Sequence, residues 1–372
     1  MATLVLEQEE SRVFVASQWQ LMWWRFRKHK LAVASGAVVL GFYLVVLGAD
    51  FLAYADPDAS EAQRGLMPPQ PIRWFDDWSF SPHVYGLKGA RDPQTFKRVY
   101  RPDPTQKIPI RFFTEGFEYK FLGVFPMSRH LIGVDPGVDA SKTIFLLGTD
   151  VQGRDLWSRL MYGTRISLTI GLLGVTMSLV LGVVLGGLSG FYGGVTDTLI
   201  QRVIEILRSI PTIPLWMGLA AALPREWSVL QVYFAITIII SLLGWTELAR
   251  VVRGRFLALR EEDFVVSARL VGCSQMRTIF VHMVPSFMSH IIAATTLALP
   301  AMIISETALS FLGLGLRPPA ISWGVLLQHA QNVQTVAISP WLMLPAVPVT
   351  IVVIAFNFLG DGLRDAADPY GR

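Results

Sequence analysis

ISLTIGLLGVTMSLVLGVVLGGLSGFYGG, residues Ile166–Gly194, carries no charged side chain from end to end. A helix needs about 20 mostly apolar residues to cross a bilayer core, and this run exceeds that length. A core helix of a soluble protein turns a polar stripe to water; Val175–Leu188 shows none. Further uncharged apolar runs lie on either side, at Leu31–Ala49, Trp227–Thr246 and Trp341–Gly360. Ser209–Pro224 is shorter and holds Pro211 and Pro214, and Met283–Ser305 holds Pro285 and His290. Together these predict an all-α integral membrane protein with about six transmembrane helices. Composition agrees. Hydrophobic residues make up 52% of the chain and charged residues 16%, against roughly 25% charged in an ordinary soluble domain. The first run is too long for the apolar region of a signal peptide, and no small-x-small cleavage site stands out after it.

Lys and Arg set the orientation, because cytoplasmic loops carry an excess of them. Arg25, Arg27, Lys28 and Lys30 precede the first run, which places the N-terminus in the cytoplasm. With six crossings, the stretch holding Arg250, Arg253, Arg255, Arg260, Arg269 and Arg277 falls inside, as does the C-terminus with Arg364 and Arg372. The net charge of +4 is then an orientation signal and calls for no nucleic-acid partner. The single cysteine, Cys273, gives no sign of a disulfide framework.

The domain reading follows. Residues 1–30 are a cytoplasmic tail in which Ser11–Lys30 forms an amphipathic helix in the lipid interface. Residues 31–53 are the first span, 54–147 an extracytoplasmic insertion, and 148–372 a membrane core of spans two to six with a cytoplasmic loop at 250–285. Ten prolines between residues 68 and 136 argue against long helices in the insertion, and Phe112–Phe125 suits one or two strands. The insertion's aromatic residues Trp74, Phe75, Trp78, Phe80, Tyr85, Phe96, Tyr100, Phe112, Phe113 and Phe117 are candidates for its core, since disordered segments are poor in aromatics.

No soluble-enzyme signature is present. Lys142–Thr143 is preceded by Ser141 where a phosphate loop needs Gly, so energy for pumping must come from another chain or an ion gradient. The six histidines form no His-Glu-x-x-His, and one Cys makes no zinc pair. No catalytic residue, metal or cofactor is expected.

Gly174, Ser178, Gly182, Gly186, Gly190 and Gly194 recur every four residues, a stripe of small side chains that admits a close helix neighbour. That neighbour is another span of this chain or a second subunit. Glu306 is an ionisable group at the membrane, either functional or a structural hydrogen-bonding residue. Asp150, Arg154, Asp155, Arg159 and Arg165 fit a mutual ion-pair network that fixes an interfacial helix before the second span.

The most specific stretch is EDFVVSARLVGCSQMRTIFVHMVP, residues 262–285. Acidic residues open a helix on which Phe264, Ala268 and Val271 share a face. Gly272 ends it, and Ser274 caps the next helix, which runs toward Pro285. This stretch resembles the EAA coupling loop of binding-protein-dependent ABC importers, through Ala268, Gly272 and Pro285; Val266 and Ser267 depart from the general pattern. The Ala-Arg-x-x-Gly form with a later His-x-x-Pro resembles the oligopeptide/dipeptide-type permeases. So do WRFRKHKLAV at Trp24–Val33, GTDVQGRDLWSRLMYGTRISL at Gly148–Leu168, ETALSFLGLG at Glu306–Gly315, and Ser322–Trp323–Gly324.

The resemblance implies a type I importer permease in the cell inner membrane, paired with a second homologous permease subunit. It also implies two ATP-binding cassette ATPase domains inside and a solute-binding protein outside. Phe264, Ala268, Arg269, Gly272, Ser274 and Pro285 would form the ATPase-coupling loop. The implied cargo is an oligopeptide or dipeptide; α-galactosides and nickel chelates use similar permeases. An ion-coupled secondary transporter would call for mid-span acids or histidines and often inverted repeats, and a membrane-embedded enzyme for facing reactive groups. The spans are poor in both.

Overall fold

The computed structural model describes residues 17–367 apart from 77, 92 and 94–97. Expectations placed on residues 1–16, Phe96 and Arg372 lie outside the described residues. Helix α1, Gln18–Lys28, opens on a capping box made by Ser17 and Gln20. His29 breaks the chain, and its Nδ1 caps α2, Lys30–Leu52, by accepting from the Ala32 N–H at 3.1 Å. The helix before the first span is thus separate from it, with Phe26 buried against Ala32 and Ala366.

Four further helices are long and apolar enough to cross a membrane: α3, Leu156–Tyr192; α6, Val229–Leu259; α8, Met288–Phe311; and the Pro340–Ala367 helical stretch whose main part is α10, Ala346–Ala367. The run Ser209–Pro224 makes no straight span. Helix α4, Gly194–Ser209, is bent by 86° from α5, Thr212–Ala221. Ile210 between them is extended, the conformation forced on a residue that precedes proline. Among the described residues five helices are long and apolar enough to span, and six if the bent pair counts as one. Residues 194–209, between the run at Ile166–Gly194 and the bend, are helical. The fourth run also continues past its first charge: α6 carries Glu247, Arg250, Arg253 and Arg255 before it ends. At 1.5 Å per residue α3 is roughly 55 Å long, so it leaves the apolar layer of about 30 Å.

The spans share one core. Leu168 and Val175 of α3 meet Ile236 and Ile240 of α6, Met302 and Ile303 of α8, Val352 and Phe356 of α10, and Val39 of α2. Trp323 of the short helix α9, Trp323–Leu327, closes it at one end.

The insertion is more regular than its prolines suggest. Strands β1, Arg73–Asp76, β2, Ser79–Arg91, and β3, Arg98–Pro109, form an antiparallel sheet in that order; β4, Arg111–Phe121, and β5, Phe125–Gly133, form a hairpin. Pro102 and Pro104 are tolerated because β3 is an edge strand. The core is aliphatic: Val84, Ile110, Val134 and Ile144 pack with Tyr54 and Ala55 from the end of the first span. Trp74, Phe75, Trp78, Phe80, Phe112 and Phe113 are exposed, which corrects the expectation that they form the core.

Candidate coupling surface and membrane cavity

Helix α7, Asp263–Leu270, stands beyond the end of α6. Val265 anchors it, fully buried with Phe256 of α6, Phe191 of α3, Ile279 and Met283. The Arg269 guanidinium lies 4.5 Å over the Phe191 ring. The outer face is apolar and open: Phe264 and Val266 are exposed, and Leu270 and Val271 are 83% and 85% exposed. Ala268 is half-buried beside them. The helix ends in a Schellman motif, with Cys273 N–H donating to the Ala268 carbonyl and Gly272 N–H to the Arg269 carbonyl, both at 3.0 Å. Gly272 has φ +85°, and a side chain there would meet no atom within 4 Å. Ser274 Oγ then accepts from Arg277 N–H at 3.4 Å. Residues 275–286 continue as a helical stretch with a wide turn over Thr278–Met283, where Val284 N–H donates to the Ile279 carbonyl. That widening directly precedes Pro285, which has no N–H to donate. The next span starts at Met288, three residues after Pro285.

The small-residue stripe faces α6 of the same chain. A Cβ at Gly182 would lie 2.9 Å from Leu248 Cβ, one at Gly190 2.7 Å from the Arg253 carbonyl oxygen, and one at Gly186 would overlap the Ala249 backbone. Gly174 and Ser178 pack on Ser241, whose Oγ donates to the Gly174 carbonyl at 3.1 Å. Gly194 does not belong to the stripe: it opens α4 at φ +56° with open space around it. Further along, α6 is clamped to α4, where Arg253 of α6 pairs bidentately with Asp197 of α4 at 2.5 and 2.6 Å.

The charged network at the start of α3 divides into three parts. Arg154 pairs with Asp150 at 2.7 Å, and the fully buried Arg159 lies 3.8 Å from the same carboxylate while donating to the Pro57 carbonyl at 2.7 Å. Asp155 is the N-cap of α3, accepting from Ser158 N–H at 2.7 Å and from the Tyr54 hydroxyl at 2.5 Å. Burial pushes its carboxyl up to about 6, against the opposing pull of these hydrogen bonds. Arg165 stands apart, turned to Asp50 at the end of α2 at 2.6 Å. Asp50 escaped the sequence reading because it lies one residue past an uncharged run. Glu306 is fully buried. Ser167 and Ser310 donate to its two oxygens at 3.0 and 2.8 Å, and Trp323 N–H donates to Ser167 Oγ at 3.1 Å. These contacts tie α3, α8 and the start of α9, which is the structural of its two readings.

A cavity of about 430 Å³ opens among α3, α5, α6 and α8. Its walls are mostly aliphatic, and Glu247 is the one charged residue that lines it. Sequence reading missed Glu247 for the same reason as Asp50; the signal available was a carboxylate followed by a continued apolar, helical pattern. Among the described residues no cluster of three or more His, Cys, Asp or Glu is arranged to hold a metal.

Two family models match. One, described as the binding-protein-dependent transport system inner membrane component, matches residues 182–370. The other, the N-terminal TM domain of oligopeptide transport permease C, matches residues 17–69. Strands β1–β5 lie between the two matches. The oligopeptide transport system permease protein OppC of Bacillus subtilis is 38% identical over 223 residues, 60% of this chain and 70% of the relative. The protein of the same name from Haemophilus influenzae is 40% identical over 226 residues, with the same coverage of 60% and 70%. The dipeptide transport system permease protein DppC of B. subtilis is 36% identical over 224 residues, 60% of this chain and 68% of the relative. With the spans and these matches in agreement, this chain belongs to the binding-protein-dependent transport system inner membrane components.

Proposed function

We propose that the chain is one of two different permease subunits of an ATP-driven importer that carries oligopeptides or dipeptides inward. Two ATPase domains would dock on the cytoplasmic side, and a solute-binding protein would deliver cargo outside. The relatives named for oligopeptide and dipeptide transport support the cargo. The observation that carries the mechanism is α7: an exposed apolar face on a helix whose other face is rooted in the membrane core. Through Val265, a push on α7 reaches Phe256 of α6, and through residues 275–286 it reaches α8. Both α6 and α8 line the cavity. Closure of the ATPases would therefore move two cavity walls, while the close-packed contact between α3 and α6 keeps those helices together. The ATP itself is hydrolysed by the partners.

The proposed orientation puts both termini and α7 in the cytoplasm and the strands outside. In cells with a sealed inner membrane and a permeabilised outer layer, an impermeant thiol reagent should miss Cys273 and label Val124→Cys on the exposed β4–β5 turn; the reverse pattern would overturn it. The cargo is tested in vesicles that hold the assembled importer, with its binding protein loaded with peptides, α-galactosides or nickel chelates. ATP-dependent accumulation of peptide is the expected result, and accumulation of only the sugar or the chelate would overturn the peptide reading.

A further inference from the structure

We infer that the tip of the β4–β5 hairpin, residues 121–127, is a membrane anchor that rests in the lipid headgroup layer beside the first span. Its partner is the leaflet on the strands' own side, so the inference does not depend on the cargo.

Both strands of the hairpin follow α2 back toward the bilayer. At the base, Ile110 and Val134 share a core with Tyr54 and Ala55, just past the end of α2. Nearer the tip the contacts step back along the span. The ring centroids of Phe113 and Phe51 are 6.1 Å apart. The His130 ring has Nδ1 3.1 Å from the Asp50 carbonyl oxygen and Nε2 2.9 Å from that of Phe117. Asp50 pairs with Arg165, the last charged residue before the uncharged run at 166–194, so His130 stands at the edge of the apolar layer. Phe125 lies five residues further toward the tip, roughly 17 Å at 3.3 Å per residue, and the headgroup layer on one side is only about 5–8 Å thick. The face of α2 that the hairpin meets continues into that layer. Leu47, Leu44 and Leu40 precede Phe51 by four, seven and eleven residues, which puts them on the Phe51 side of the helix, and all three are exposed.

The tip has the chemistry of a lipid contact. Its sequence, FLGVFPM, carries no charge, and Leu122, Val124 and Phe125 are each more than half exposed. A hairpin turn with positive φ usually takes Gly, Asn or Asp. Here Leu122 holds φ +51° ahead of Gly123 at +76°. A bulky residue in that region is strained, and in water a polar residue would serve the turn better; an apolar surrounding is what favours leucine there. Lys120 and Arg129 bracket the tip and are exposed, at the positions from which basic side chains extend to lipid phosphates. The nearby carboxylates, Glu115 opposite Arg129 in the ladder and Glu118, stand on the base side of the tip.

The test uses the assembled importer in vesicles of phosphatidylethanolamine and phosphatidylglycerol, in a Cys273→Ser background. A nitrobenzoxadiazole dye is placed on Val124→Cys or, as control, on Val138→Cys, an exposed position beyond the hairpin's base. The headgroup layer is hydrated, so a thiol at 124 still reacts with a water-borne reagent from its own side. The dye at 124 should emit further to the blue than at 138. It should be quenched by lipid spin-labelled just below the headgroup, and less than the control by aqueous iodide. Adding Phe125→Glu, which puts a charge where lipid disfavours it, should move the emission back to the red and remove the lipid quenching. Iodide quenching equal to the control, with no quenching by lipid, would overturn the inference, because the tip would then stand in water. Shielding from both quenchers would also overturn it, by placing a protein neighbour over the tip. So would lipid quenching that Phe125→Glu leaves unchanged.

Discussion

At the scale of single residues, Gly272 and Asp155 are the most exposed to test. Gly272 holds φ +85° in open space, so a substitution there strains the backbone rather than colliding with a neighbour. A Cβ in this region costs roughly 1–2 kcal/mol. Gly272→Val should insert normally but retain less ATPase on purification, whereas Gly272→Asn, which tolerates the conformation better, should retain more. Equal retention by both variants and wild type would show that the turn does not set the docking surface. Asp155 supplies a pH test. Its folded value of about 6 lies above the ordinary 3.8, so the folded form binds the proton more tightly. The stability it contributes is present below about pH 3.8 and is lost as pH rises through about 6. Asparagine keeps the helix cap without the titration. Melting of purified wild type and Asp155→Asn should therefore diverge between pH 4.5 and pH 7, with the variant gaining on wild type as pH rises; a constant difference would contradict it. The roles of Gly272 and Ser274 were legible in sequence, because caps and positive-φ turns are local. The partners of Arg165 and Asp155 were not, since Asp50 and Tyr54 lie far away in the chain.

At the scale of elements, apolar runs located the spans but not their ends. An uncharged run stops at the first charge, whereas a helix stops where its backbone bonding stops; α6 continues beyond Thr246 for that reason. The bend at Ile210–Pro211 was visible only as a pair of prolines. In the insertion, edge position let β3 absorb its prolines, and the buried set proved to be the few aliphatic residues rather than the many aromatic ones. The stripe's four-residue period was legible, and its partner was not, because period alone names no neighbour. The packing of α3 on α6 is tightest where Gly186 meets the Ala249 backbone. Backbone cannot move aside as a side chain can, so Gly186→Leu should separate the helices and cost several kcal/mol, beyond the usual ~1–3 kcal/mol of overpacking. Leucine at Gly218 of α5, where a Cβ meets nothing within 4 Å, is the control. Comparable thermal stability of the two variants would show that the stripe is not a packing seam.

At the scale of the whole molecule, the chain is a multi-pass inner-membrane subunit whose family works with an ATPase and a substrate-binding protein. The proposed mechanism has transport energy enter through α7 from other polypeptides. The most direct measurement is peptide uptake and ATP hydrolysis in the same vesicles, with the ATPase subunits present or omitted. The account predicts no hydrolysis by the purified chain, and coupled hydrolysis and uptake only in the complete complex. Robust ATP turnover by the chain alone, or peptide accumulation driven by an ion gradient with the ATPases omitted, would contradict it.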